Sequence, residues 1–403
     1  MLVQFKFRNY GSFRDETLFD MRAIKAYKEH PENCIKESEK ESYLKVAALY
    51  GANASGKSNF VDAYDKFLRI VRRSFSGKEK QEKESVLKQN YNPFLFASNA
   101  VDNDTEFEAI YHKDGFEYRY GFVYNDKLIK YEWLYRASLS SERKVMTTIL
   151  ERTDKTIDLG ASIKTSCEKY LPSIDQDVLA LSFFSSLKLR SAVFKETLYC
   201  IAAFLPMQLT CERTMDDLLD HYFDEEFDEK EKKNLLRFLA AIDIGIKDIE
   251  VKKTNDFVDV YSFHKGNDGS LCRVPFEIES DGTRKAIAVY SLVRIALTNN
   301  KGLILDELNM QLHPLILKYI TDLFYEEDSS GQLIYTTHDT SLMDKKYMRR
   351  DQIWFVQKDE NGASSLVSLA EFKIRNDSSF EKAYLGGAFG GIPNLTDFSF
   401  KGE

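Results

Sequence analysis

The stretch KVAALYGANASGKSNFVDAYDKFLRIVRR, Lys45 to Arg73, decides how the rest of the chain is read. Lys45 to Gly51 is a short apolar run closed by glycine, the pattern of a buried strand, and a helical pattern begins at Asn59. Between them GANASGKS fits G-x-x-x-x-G-K-[ST] at Gly51, Gly56, Lys57 and Ser58. The glycines let backbone N–H groups curl around phosphates, and the helix that follows presents its positive end. Asn53, Ala54, Ser55 and Asn59 complete the cradle, Lys57 reaches for the β- and γ-phosphates, and Ser58 is the expected Mg2+ ligand. The plain alternative, a glycine-rich turn without a ligand, is disfavoured by the strand before it and the helix after it.

Two more apolar runs end in polar residues. KGLILDEL places Asp306 and Glu307 at the carboxyl end of a buried strand, where open α/β sheets build their sites. Asp306 is expected to hold the Mg2+ shell and Glu307 to orient or deprotonate an attacking water. LIYTTHD ends in His338, a residue able to hydrogen-bond a γ-phosphate. Acids often end strands and a lone histidine is more often merely solvated. Three strand ends meeting at one phosphate site reverse that preference.

The remaining chain surrounds this core. From Thr105 to Thr153 the apolar residues alternate, predicting an antiparallel meander. Phe116, Tyr118, Tyr120, Phe122 and Tyr124 line one strand, and Ile129, Tyr131, Trp133 and Tyr135 the next, with YNDK between them. Such aromatics are read as sheet core rather than as a base-stacking surface. Ala161 to Ala241 reads as helical, and its ten acidic against two basic residues between Glu212 and Glu231 are expected to be a solvated face. Short strands follow, then a helix opened by ESDGTRK, then the Asp306 and His338 strands. The expected organisation is α/β: a nucleotide-binding half over 1–160, a mainly helical insertion over 161–273, and the second half of the core over 274–403.

With 403 residues, 43% hydrophobic and 30% charged, the chain can bury a large core. Its net charge of −8 confines any nucleic-acid contact to a local basic face. Candidates are Lys66, Arg69, Arg72 and Arg73 with Lys78 and Lys80, and KKYMRR from Lys345 to Arg350; solvation is the favoured reading of both. Five scattered cysteines without metal-site spacing, an N-terminus without a signal-peptide core and the lack of a spanning apolar run lead us to expect a cytoplasmic protein with reduced thiols and no membrane segment.

Asn300-Lys301 continues into GLIL, so the Asn-Lys-x-Asp base reader of GTPases is missing. Small-molecule kinases seldom place a DE strand so far beyond the loop. Ser280, Gly282 and the first helical turn at Thr283 to Lys285 offer a second anion seat, which is redundant for one nucleotide and useful for a neighbour's. NYGSF, GANASGKSN, ESDGTRK, LILDELNMQLHP and TTHD, in this order, resemble ATP-binding-cassette ATPases of the SMC, RecF and OLD type. IKYEWLYR and FKIRNDSSFEKAYLGGAFGGIP extend the resemblance to the RloA/AbiLi-type ATPases of bacterial abortive-infection loci.

The resemblance implies a P-loop head of the ABC/SMC type. It implies ATP and Mg2+ as ligands and a homodimer or higher homo-oligomer in which two heads sandwich two ATP molecules. Ser280 and Gly282 would then act in trans, and Leu312-His313-Pro314 would fall in the loop between the paired heads. The family's Q-loop glutamine has two candidates, Gln89 and Gln208. The stretch after His338 is too short for the Toprim nuclease of OLD-type proteins, so a separately encoded effector, a nuclease for example, is expected. Two other readings stay open. An ABC-transporter subunit is opposed by the meander, and a DNA-repair or structural scaffold that keeps ATP as glue is opposed by the Asp306-Glu307 pair.

Overall fold

The computed structural model describes residues 1–38, 41–79, 84–96, 104–140, 144–253, 258–374 and 378–393. The alternating N-terminus forms β1 (Leu2–Arg8), antiparallel to β2 (Thr17–Asp20) on one side. A small ladder of β3 (Cys34–Lys36) and β4 (Ser42–Leu44) leads into β5 (Val46–Tyr50), which is buried along its whole length. Helix α1 (Lys57–Glu79) and the short α2 (Val86–Gln89) follow.

The expected meander comes next: β6 (Thr105–Lys113), β7 (Phe116–Tyr124), β8 (Ile129–Ser138), β9 (Thr147–Arg152) and β10 (Ile157–Leu159). With β1 and β2 they make a seven-stranded sheet in the order β10-β9-β8-β7-β6-β1-β2. Its inner aromatics Phe5, Phe107 and Phe122 meet Phe60, Tyr64 and Phe67 of α1, so they are core. On β8 the expected face is wrong beyond Ile129. A register shift opposite Val123 and Tyr124 turns the strand over, so Glu132 and Leu134 face inward and Tyr131 is 51% exposed. One extra residue in a strand reverses every later side chain.

Glu132 anchors the helical stretch that follows: α3 (Lys164–Cys167), α4 (Ala180–Ser186) and α5 (Val193–Ala202). Its buried carboxylate accepts hydrogen bonds from the Ala180 and Leu181 N–H groups at 2.8 and 2.9 Å and from Tyr120 at 3.0 Å. It thereby caps the open N-terminus of α4.

A strand that periodicity had assigned to helix, β11 (Phe204–Gln208), then joins the main sheet. Helices α6 (Glu212–His221) and α7 (Glu229–Ala241) lead to a three-stranded sheet of β12 (Ile246–Lys253), β13 (Val258–Lys265) and β14 (Leu271–Pro275). The acidic run is only partly solvated. Asp216 pairs with Arg284, and Glu226 and Glu231 pair with Arg294, because helix α8 (Asp281–Thr298) presents those arginines to it.

Strand β15 (Gly302–Asp306), α9 (Pro314–Tyr325), β16 (Gln332–Thr336), β17 (Ile353–Lys358), β18 (Ser364–Ser368) and α10 (Phe380–Leu385) complete the order. The main sheet runs β11-β15-β16-β5-β17-β18, parallel except for β18. Ala47 and Leu49 of β5 face α1 and the antiparallel sheet, while Val46, Ala48 and Tyr50 face the layer of α8, α9 and α10. This is an α/β P-loop architecture. Among the described residues no helix is long and apolar enough to cross a membrane.

Candidate nucleotide site at the ends of the parallel strands

Strand β5 delivers Gly51 into a loop whose backbone is shaped by close approaches. A Cβ on Gly51 would lie 2.5 Å from the Val356 carbonyl oxygen, and one on Gly56 2.5 Å from Ser364 Oγ. Gly56 also has φ +114°, a conformation that suits glycine, and Ala54 stands at φ +60°. The loop is braced from both ends of the chain. Ser364 Oγ donates to the Ser55 carbonyl at 2.6 Å and shares a 2.7 Å hydrogen bond with Ser12 Oγ, and Asn59 Nδ2 donates to Ser12 Oγ at 2.9 Å.

The loop bounds a cleft of about 620 Å3 lined by Asn53, Ala54, Gly56, Lys57, Ser58 and Asn59, together with Ser12, Glu307, His338 and Lys358. Gly51 and Ser55 build the loop without lining the cleft, and Ser55 Oγ is buried with no partner among the described residues. Lys57 is nearly buried and folds over the loop, donating to the Gly51 and Ala52 carbonyls at 3.0 Å each. Burial lowers its pKa, and the carboxylates of Glu307 and Asp306 oppose that shift.

Strand β15 brings in the acids. Asp306 is buried and accepts a 2.6 Å hydrogen bond from Thr336 Oγ1, whose oxygen in turn accepts the Glu307 N–H at 2.8 Å. Glu307 has φ +48°, an uncommon conformation for a residue with a side chain. Its carboxylate lies 3.5 Å from His338 Nε2. Burial, then the Lys57 charge, press the His338 imidazole below its ordinary pKa, with Glu307 opposing, so the ring enters the cleft as a neutral hydrogen-bonding group. Lys285 of α8 is fully buried and donates from Nζ to the Glu307 carbonyl at 3.0 Å. Burial pushes its pKa down to about 8.

Among the described residues no cluster of three or more His, Cys, Asp or Glu forms a ready-made metal cage. Mg2+ does not need one, since it keeps waters and takes one or two protein oxygens beside substrate phosphates. Ser58 in the cleft, and an Asp306 whose second oxygen is uncommitted to Thr336, fit that donor set.

The remaining expected residues lie apart. Ser280 is exposed, caps α8 by accepting the Thr283 N–H at 3.2 Å, and with Gly282 lines no part of the cleft. Gly282 packs so closely on the loop after β15 that a Cβ would lie 2.9 Å from the Gln311 carbonyl. Of the two glutamines, Gln208 ends β11 in register with Asp306, whereas Gln89 closes α2 with a bond to the Glu84 carbonyl. In the basic clusters Lys66 and Arg69 pair with Asp65, and Arg349 is buried against Asp351 and three backbone carbonyls. Lys80 and the tail residues Arg375 to Asp377 lie outside the described residues.

The sequence reading gave no role at the cleft to Ser12, Ser364, Thr336 or Lys358, and placed Lys285 only in the anion seat that follows Ser280. Ser12 and Thr336 did carry a signal, as members of the motifs NYGSF and TTHD.

Residues 46–344 match the family model AAA_21, described as "AAA domain, putative AbiEii toxin, Type IV TA system". No curated protein matches the sequence. The chain is similar to a solved SmcHead bound to the C-winged helix domain of ScpA, with 14% identity and TM-score 0.47 over 95% of this chain and 99% of that one. It is also similar to the SMC head domain from Thermotoga maritima, with 12% identity and TM-score 0.43 over 93% and 99%. An Smc head with an extended coiled coil, bound to the C-terminal domain of ScpA derived from Pyrococcus furiosus, gives 15% and 0.44 over 95% and 98%.

Proposed function

The chain belongs to the AAA_21 family, and from that premise we propose that it binds and hydrolyses ATP, pairs with a second copy when ATP is bound, and so switches a separately encoded effector. The observation that carries the reading is the convergence of Lys57, Glu307 and His338 on one cleft, with Asp306 behind them. Lys57 neutralises phosphate oxygens, Glu307 orients and deprotonates the attacking water, and neutral His338 holds a terminal phosphate oxygen. A bound Mg2+, held by Ser58 and Asp306, would supply further charge neutralisation. Gln208, at the end of the strand beside Asp306, is the fitting candidate for the Q-loop glutamine.

Pairing is supported by the surface around Ser280. The turn is exposed, Ile278 (72% exposed) stands two residues before it, and Met310 (40%) precedes Gln311, whose amide donates to Asp281 of the turn. In this reading Ser280 and Gly282 complete the partner's site. The effector and a role in anti-phage defence of the RloA/AbiLi kind rest on the resemblance of motifs and on the family's link to a toxin system. Size-exclusion chromatography tests the pairing. Glu307→Gln with ATP should elute as a dimer, and adding Ser280→Arg should return it to monomer while fluorescent-ATP binding persists. Identical elution of all forms with and without ATP would remove the sandwich.

A further inference from the structure

The side chain of Lys285 has no part in the readings above, yet it is the one lysine among the described residues with no exposed surface and a bond to the loop that carries Glu307. An apolar side chain of similar length would fill its place without the cost of desolvating an ammonium group. Its position gives the charge a use. Glu307 at φ +48° and Gln311 at φ +60° are two left-handed residues in one short loop. Helix α8 touches that loop at both places. Lys285 Nζ holds the Glu307 carbonyl at 3.0 Å, and Asp281 accepts from Gln311 Nε2 at 3.3 Å. The peptide before Glu307 is fixed from the other side, where Thr336 Oγ1 accepts its N–H at 2.8 Å. A left-handed residue persists only where its surroundings over-determine it, and here the two clamps come from different elements.

We propose that Lys285 is a positioning residue for hydrolysis. Its ammonium group holds the Glu307 peptide in the conformation that aims the carboxylate into the cleft, and makes that aim depend on how the first turns of α8 are seated. Helix α8 transmits seating as a rigid body, because Ala286 to Val289 are buried between two apolar clusters, Ala286 and Val289 in one and Ile287 and Ala288 in the other. The exposed cap residue Ser280 and the buried Lys285 are therefore two points on one lever. Whatever settles on the turn is felt at Glu307.

The inference rests on the ATPase reading of the cleft, and the test separates the two. Phosphate release from ATP and fluorescent-ATP binding are measured on the full chain for wild type, Lys285→Met, Lys285→Gln, Lys285→Arg, Glu307→Gln and Lys285→Met with Glu307→Gln. Expected is a fall in kcat of about 10- to 100-fold for Lys285→Met, with KM and nucleotide affinity within about 2-fold of wild type. Lys285→Arg, which keeps a cationic donor, should recover most of the loss. On the Glu307→Gln background Lys285→Met should add nothing, because the two act as a unit. Should Lys285→Met not fold, Lys285→Gln is read in its place. Unchanged kcat, equal losses of kcat and affinity, or additive losses would each overturn the inference. Wild-type turnover no greater than that of Glu307→Gln would instead overturn the ATPase reading itself.

Discussion

Glu132 in the antiparallel sheet and Lys285 beside the parallel one are both charged and both almost without exposed surface. Glu132 is met by two backbone N–H groups and a phenol, with the Arg152 guanidinium 3.8 Å away. No left-handed residue stands beside it on β8. Lys285 holds one carbonyl, and that carbonyl belongs to a left-handed residue. The antiparallel sheet does have left-handed residues, Asp114 and Gly115 in an exposed hairpin turn and Asn9 and Gly11 between β1 and β2, but both places are where the chain reverses between paired strands. At the parallel strand ends Ala54, Glu307 and Gln311 adopt them in loops that lead into helices. A buried charge surrounded by partners glues elements together. One with a single partner on a strained loop aims something.

That contrast can be broken most directly at Glu307. Glu307→Gln should lower steady-state phosphate release by about 100- to 10,000-fold while leaving ATP affinity within a few-fold; equal release would put this residue in the same class as Glu132. Next in size, Glu132→Ala should cost about 3–5 kcal/mol of stability by stranding Arg152 and uncapping α4. Urea denaturation measures the loss, and the folded fraction should still bind ATP. A loss of ATP binding by stable protein would show that the antiparallel sheet reaches the site after all.

The smallest effect concerns Glu117. Burial would raise its pKa, but hydrogen bonds from His112 and Lys144 outweigh burial and hold it below its ordinary value. A carboxyl depressed in the native state contributes stability that is present above its unfolded pKa and lost as pH falls through the lower native value. The urea midpoint of wild type should therefore exceed that of Glu117→Gln at neutral pH, and the gap should close as pH falls below the ordinary carboxylate range. A gap independent of pH would mean that Glu117 acts by packing alone.

What was legible follows from range. Gly51 to Ser58, Asp306-Glu307 and His338 could be read because each closes a short apolar run, and a local pattern suffices to mark a strand end. Ser12 and Ser364 reach the loop from 352 residues apart, and although NYGSF marks Ser12 as part of a motif, no local pattern ties either serine to the loop. The reversal of β8 was hidden because a register shift depends on the partner strand, not on the spacing of Ile129, Tyr131 and Trp133. Strand β11 was hidden because an edge strand flanked by helices is too short to declare a period. The bond from the Lys285 side chain to Glu307 was hidden because one lysine in a helix normally reaches water.

The brace through Ser364 also bears on how the protein is born. The phosphate loop is complete within the first sixth of the chain, yet its supports on β15, β16 and β18 all come from the final quarter or close to it. The loop therefore takes on its braced shape only after β18, some three hundred residues downstream, has been made and has joined the sheet.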